Sequence, residues 1–227
     1  TDETLNLLIK TKNQNQLERL SVDSCSFSEK ALINYIKNGS KLLSLSIARF
    51  GGQQINYTDQ VASIIAQYYP QIRGLNLYRT FITEKGLHEI TSRCKNIEEL
   101  NLGQTQLSNG SLALLASLPS LSRLELMSLP IEDKMLAFLT QNLRITQLSL
   151  HRCHTLTPSG ILIGLLQLPD IEFLCLKETR VSDDVSEILS SGKLEKLSIV
   201  DLRRTAVTRE ELKEIAKKNS NLTIYGP

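Results

Sequence analysis

The sequence predicts an α/β solenoid in which strand-turn-helix units lie side by side, with a parallel sheet on one face and helices on the other. Three observations predict it. The first is the stretch Ile72 to Thr83, IRGLNLYRTFIT, whose apolar residues Ile72, Leu75, Leu77 and Ile82 follow a spacing that neither a lone helix nor a lone strand sustains. The second is its recurrence as IEELNLGQTQLS from Ile97, LSRLELMSLPIE from Leu121, IEFLCLKETRVS from Ile171 and LSIVDLRRTAVT from Leu197. The third is a hydroxyl residue at the end of most copies, placed to open a helix.

Residues 1–16 carry Leu5, Leu8 and Ile9 at helical spacing and are expected to form an N-terminal helix or partial capping repeat. Units then begin at Leu17, Leu42, Ile72, Ile97, Leu121, Ile145, Ile171, Leu197 and Leu222, at spacings of 25, 30, 25, 24, 24, 26, 26 and 25 residues. A period held this closely is the mark of a repeat array. Residues 17–221 therefore make eight repeats, and 222–227 the start of a ninth or a C-terminal cap. Eight parallel strands are expected, about 4.8 Å apart, with right-handed crossovers to the helices. The opening TDETLNLL has no initiator methionine, charged leader or apolar signal core, so it reads as an excised piece.

Within each repeat the second half reads as helix. Ser28, Thr58, Thr83, Ser108, Thr157, Ser182 and Thr208 stand where the turn ends, each able to cap through its hydroxyl. Pro158 suits a first helical position, and Thr208 with Glu211 forms a capping box. Apolar residues at helical spacing follow, such as Leu112, Leu115 and Leu118, or Leu212 and Ile215. Pro70, Pro119 and Pro169 close helices two residues before the next repeat.

This pattern resembles the leucine-rich repeat family, in the ribonuclease-inhibitor-like or cysteine-containing subclass with units of ~25 residues. The resemblance covers about Leu17 to Leu222 and implies a right-handed βα horseshoe, with the parallel sheet on its concave face and helices on its convex face. In that subclass an inward Asn or Cys holds the ninth position. Here the ninth position reads Cys25, Phe50, Thr80, Thr105, Leu129, Cys153, Thr179 and Thr205, so the polar ladder is expected to break at Phe50 and Leu129. The resemblance also implies protein recognition rather than chemistry.

Strand side chains alternate, so with positions one, four and six inward, positions three, five, seven and eight face the concave surface. Position eight supplies Arg49, Arg79, Arg152 and Arg204; position seven supplies Tyr78, Met127, His151, Lys177 and Arg203; Phe173 and Cys175 lie beside them. These residues are the expected partner-binding set, since aromatic anchors and guanidinium forks concentrate binding energy. They suit an acidic or partly apolar segment of another protein. A duplex demands a broader positive face, and the net charge is only +2.

No catalytic, cofactor or metal site is expected. There is no GxxxxGK(S/T), dinucleotide fingerprint or CxxC pair. In the cluster His151, Arg152, Cys153 and His154 the frame turns Cys153 inward and His151 outward, so one metal could not collect them. A dyad of Cys175 and His151 is the weak enzymatic alternative. Of the cysteines, Cys175 is expected to be the exposed one, with Cys25, Cys94 and Cys153 protected. Few, scattered cysteines point to a reducing cytoplasm, and the longest apolar run, about Ile161 to Leu166, is too short for a membrane span.

The second repeat carries five extra residues within RFGGQQINYT, from Arg49 to Thr58, expected to project from the rim. Asn and Gln number 13 and 12 and Trp is absent. That bias, with Ile and Lys, makes the chain similar to leucine-rich-repeat effectors that intracellular bacterial pathogens deliver into host cells. The reading is thus a monomeric protein-binding scaffold, cytoplasmic or, as an effector, secreted into the host cell. The alternative is the substrate-recognition part of an F-box type ubiquitin-ligase adaptor.

Overall fold

A computed structural model describes residues 1–10, 16–39, 41–49 and 56–226. The chain forms two compact blocks: an N-terminal block of Thr1–Leu107 with Ser117–Ser120, and a C-terminal block of Ser108–Ala116 with Leu121–Pro227.

The N-terminal block opens with α1 (Asp2–Ile9) and alternates β1 (Arg19–Ser21), α2 (Glu29–Asn38), β2 (Ser44–Ser46), α3 (Asp59–Tyr68), β3 (Gly74–Asn76), α4 (Glu84–Arg93) and β4 (Glu99–Asn101). The C-terminal block runs from a 3-10 helix (Gly110–Ser117), all but its last residue, through β5 (Arg123–Glu125), α5 (Asp133–Asn142), β6 (Gln147–Ser149), α6 (Pro158–Leu165), β7 (Phe173–Cys175), α7 (Val185–Leu189), β8 (Ile199–Asp201) and α8 (Arg209–Lys218) to β9 (Thr223–Tyr225). Strands pair in parallel and in chain order within each block, so Leu45, Leu75 and Leu100 align in one and Leu124, Leu148, Leu174 and Val200 in the other. Each of these side chains is at most 2% exposed, because a strand turns alternate side chains to the core. Beyond the eight expected strands, β9 pairs with β8 through Thr223–Ile199 and Tyr225–Asp201.

The turn after each strand explains the repeat. The position-nine N–H returns to the position-six carbonyl, as from Thr80 to Leu77 and from Thr179 to Leu176, both 3.1 Å, which makes a β-turn whose third residue is position eight. That residue must take positive φ. Ser24, Arg79, Gln104, Ser128, Arg152, Glu178 and Arg204 all do, between 54° and 59°. The inward threonines then donate to the same carbonyl: Thr80, Thr105 and Thr205 reach Leu77, Leu102 and Leu202 at 2.6–2.7 Å. Leu129 has no side-chain donor and so interrupts this ladder as expected, but the turn itself stays regular. Its turn has the ordinary geometry at Ser128, and the Cys153 thiol reaches across to the Leu126 carbonyl at 3.2 Å. Phe50 and the projection expected of the insertion lie outside the described residues.

The helices are joined by a second ladder. Ser28, Thr58, Thr83, Thr157 and Thr208 accept from helical N–H groups as expected. Their own N–H and hydroxyl groups donate to a carboxylate of the preceding helix or its lead-in: Asp2 holds Ser28, Glu29 holds Thr58, Asp59 holds Thr83, Asp133 holds Thr157 and Asp183 holds Thr208. The capping box at Thr208 is thus completed by Asp183, not by Glu211. Three repeats depart from the pattern, the first being that of α5, where Glu132 stands at the cap without a side-chain bond and its N–H donates to Asn109 Oδ1 at 2.9 Å. Ser111 donates its hydroxyl to the Ser108 carbonyl at 2.8 Å, a local bond that competes with the α-helix, and the segment takes 3-10 form. Ser182 donates instead to Asp184, so α7 starts late and is short.

Candidate protein-binding face

In the N-terminal block the strand side chains of position five support the turn. The backbone N–H of Tyr78 donates to Asn76 Oδ1 at 3.0 Å and that of Gly103 to Asn101 Oδ1 at 2.9 Å. Asp23 accepts from Ser46 Oγ and from the Ala48 N–H. Tyr78 is half-buried and Arg79 exposed, its guanidinium without an ion pair among the described residues.

Arg49 is a correction. It was placed on the exposed face, yet it is 5% exposed. Its guanidinium turns back, donating Nη1 to the Cys25 carbonyl at 3.2 Å and stacking 5.6 Å from the Tyr57 ring centroid. The physical reason is local. Arg49 does not itself take the positive φ that position eight takes in neighbouring repeats, and the Tyr57 face offers the cation a covered seat.

The C-terminal block gathers most of the set. Glu178 accepts from Arg152 Nε at 2.6 Å and Arg204 Nη1 at 3.1 Å, with His151 Nε2 at 3.5 Å. The Arg152 hydrogen bond above all holds its carboxyl at about 2, aided by His151 and Arg204 and opposed by burial. Burial lowers His151 below the ordinary imidazole range, outweighing the hydrogen bond to Glu178. One strand over, Arg203 clasps Asp201 through Nε at 2.9 Å and Nη2 at 2.6 Å, while its guanidinium lies 5.6 Å from the Tyr225 ring centroid. Burial opposes the Asp201 charge, but this fork and the Arg203 N–H prevail and keep its carboxyl low. Met127, Phe173 and Lys177 stand half-buried among these groups.

Cys175 is the second correction. It is 8% exposed, with its thiol 3.8 Å from Asp201 Oδ2, and burial pushes that thiol upward. A reactive cysteine needs the reverse, and His151 faces Glu178 rather than a thiol. Neither member of the supposed dyad is poised for proton exchange with the other. The more exposed cysteine is Cys25, whereas Cys94 and Cys153 are fully buried and held up at about 11 and about 12 by burial.

Glu178, Asp201 and Tyr225 were not singled out from the sequence. The alternation Arg152, Glu178, Arg204 in one column of three successive repeats is the signal that could have found the first. Among the described residues, no group of three or more His, Cys, Asp or Glu could hold a metal ion, and no helix is long and apolar enough to cross a membrane.

No protein-family model matches the chain, nor does any curated protein. Solved structures do. An internalin of Listeria monocytogenes matches over 99% of this chain at 18% identity and a TM-score of 0.55, and the chain spans about half, 54%, of that internalin. The structure of the Rad7 and Elc1 complex in yeast matches over 100% of this chain and 71% of its own, at 15% identity and a TM-score of 0.60. A Bacteroides fragilis protein matches over 98% and 68%, at 14% identity and a TM-score of 0.66. At such identities what is shared is the fold, and that fold is an α/β repeat solenoid of the leucine-rich-repeat kind.

Proposed function

We propose that this chain is a protein-interaction scaffold whose sheet face in the C-terminal block takes an acidic, partly apolar segment of another protein. The carrying observation is the arginine pair on Glu178. Two guanidiniums share one carboxylate, and with His151 held toward its neutral form the cluster keeps a net positive charge. Arg204 is 73% exposed and Arg152 45% exposed at the side chain, so both can offer further donors to an incoming carboxylate. Lys177 adds charge, and Met127, Phe173 and Tyr225 add apolar contact. The partner's identity separates the two finer readings: a host protein for a bacterial effector, or a substrate for a ubiquitin-ligase adaptor.

Affinity capture with two baits, the wild type and the Arg152→Glu/Arg204→Glu variant, tests the proposal. The expected result is a partner retained by the wild type alone through an acidic segment, its affinity falling by about 1–3 kcal/mol in Arg152→Ala while stability barely moves. Equal capture by both baits, or binding through a basic segment, would overturn it.

A further inference from the structure

We infer that the helix side of the C-terminal block carries a second docking surface, which takes one amphipathic helix of a partner protein. Phe138 and Ile163 occupy the same step of α5 and α6, each six residues after the residue that caps the helix. They are 39% and 55% exposed, and Leu166, three residues beyond Ile163 on the same face, is 45% exposed. The two helices pack closely, as α3 and α4 do at Gly86. A methyl group added at Gly160 would run into the Asp133 carboxyl, and one at Gly164 would sit 2.9 Å from the Leu136 side chain. Phe138 and Ile163 thus hold the same step of two helices packed on each other, and Leu114, half-buried, holds that step on the 3-10 helix.

Neither the 3-10 helix nor α6 has a charged residue, a departure from the polar outer face of a solvated helix. The same step in the N-terminal block reads Asn34, Ile64 and Glu89, so the apolar set is particular to this block and not a demand of the repeat.

Area selects the occupant. At these exposures Phe138, Ile163 and Leu166 offer roughly 250–350 Å², less than half of the about 800 Å² per partner that a stable dimer buries. A single helix with apolar anchors three, four and seven residues apart covers a strip of that size. Lys134 is exposed one turn before Phe138 on the same face of α5, which favours an acidic residue at that end of the occupant. This surface is independent of the sheet face.

A displayed library of short helical peptides, selected on the intact protein with Ile163→Glu protein as soluble competitor, tests the inference. Enriched peptides should share the apolar anchor spacing and lose about tenfold or more in affinity for Ile163→Glu and for Phe138→Gln, with thermal unfolding unchanged in both. Enrichment without that spacing, or peptides that bind both variants as well as the wild type, would overturn it. So would a concentration-dependent dimer in sedimentation velocity that Ile163→Glu abolishes, since the occupant would then be a second copy.

Discussion

The two blocks use one backbone template and fill its exposed positions differently. Both have three-residue strands, the positive-φ turn and carboxylates that hold the next helix cap. In the N-terminal block the face around Asn76, Tyr78, Arg79 and Asn101 is largely amide and aromatic, and Arg79 has no ion pair among the described residues. In the C-terminal block the same steps carry Arg152, Glu178, Arg204, Asp201 and Arg203 in two charge clusters. The template fixes where a side chain stands; which charges stand there is free to vary, and that freedom is what recognition uses.

The largest expected effect asks whether the template really is equivalent in the two blocks. Leu100→Asp and Leu148→Asp each bury a carboxylate in a leucine row and should cost at least about 4 kcal/mol, melting the neighbouring repeats. Normal helicity and melting in either variant, read by circular dichroism, would break the equivalence. A smaller effect tests the cap ladder. Asp59→Ala and Asp133→Ala should cost about 1–2 kcal/mol in chemical denaturation, with Asp59 the larger because its bonds to Thr83 are part-buried and those of Asp133 to Thr157 are exposed. The reverse order would mean that burial does not set the strength of this ladder.

The smallest effect belongs to the C-terminal block. Glu178 has a folded-state value of about 2, against an ordinary 4.5. Its contribution is therefore complete above 4.5 and lost as pH falls toward about 2, because the unfolded chain binds the proton first. A carboxyl titration by nuclear magnetic resonance should place Glu178 near 2 at low salt, with screening moving it upward. A midpoint near 4.5 would dissolve the cluster.

Much of the fold was legible because it rests on local rules. The spacing of Leu75 and Leu77 sets the strand, Thr83 caps the helix, and both act within a few residues. Frame assignment also placed Arg79, Arg152 and Arg204 on the face. It failed at Arg49 because alternation tells where a side chain starts and not where a long one ends; the Tyr57 ring and the Cys25 carbonyl decide that. Cys175 failed for a related reason: its exposure depends on Asp201 in the next strand and on Arg203, which closes over that carboxylate. Asp183 holding Thr208 was hidden because the two are 25 residues apart in sequence, far beyond any local motif.

The positive-φ turn has a consequence for how this array can carry information. Among the described residues, seven non-glycine residues hold a backbone conformation that glycine would adopt freely, each at a cost of about 1 kcal/mol. An array with glycine at every such step would relax, and it would also be blank there. The side chains that hold the strained step include Arg79, Arg152, Glu178 and Arg204, the very groups that give the face its charge pattern. Stability and legibility to a partner are thus set against each other at one residue per repeat, and each repeat can be moved along that scale by a single codon without disturbing the leucine row beneath it.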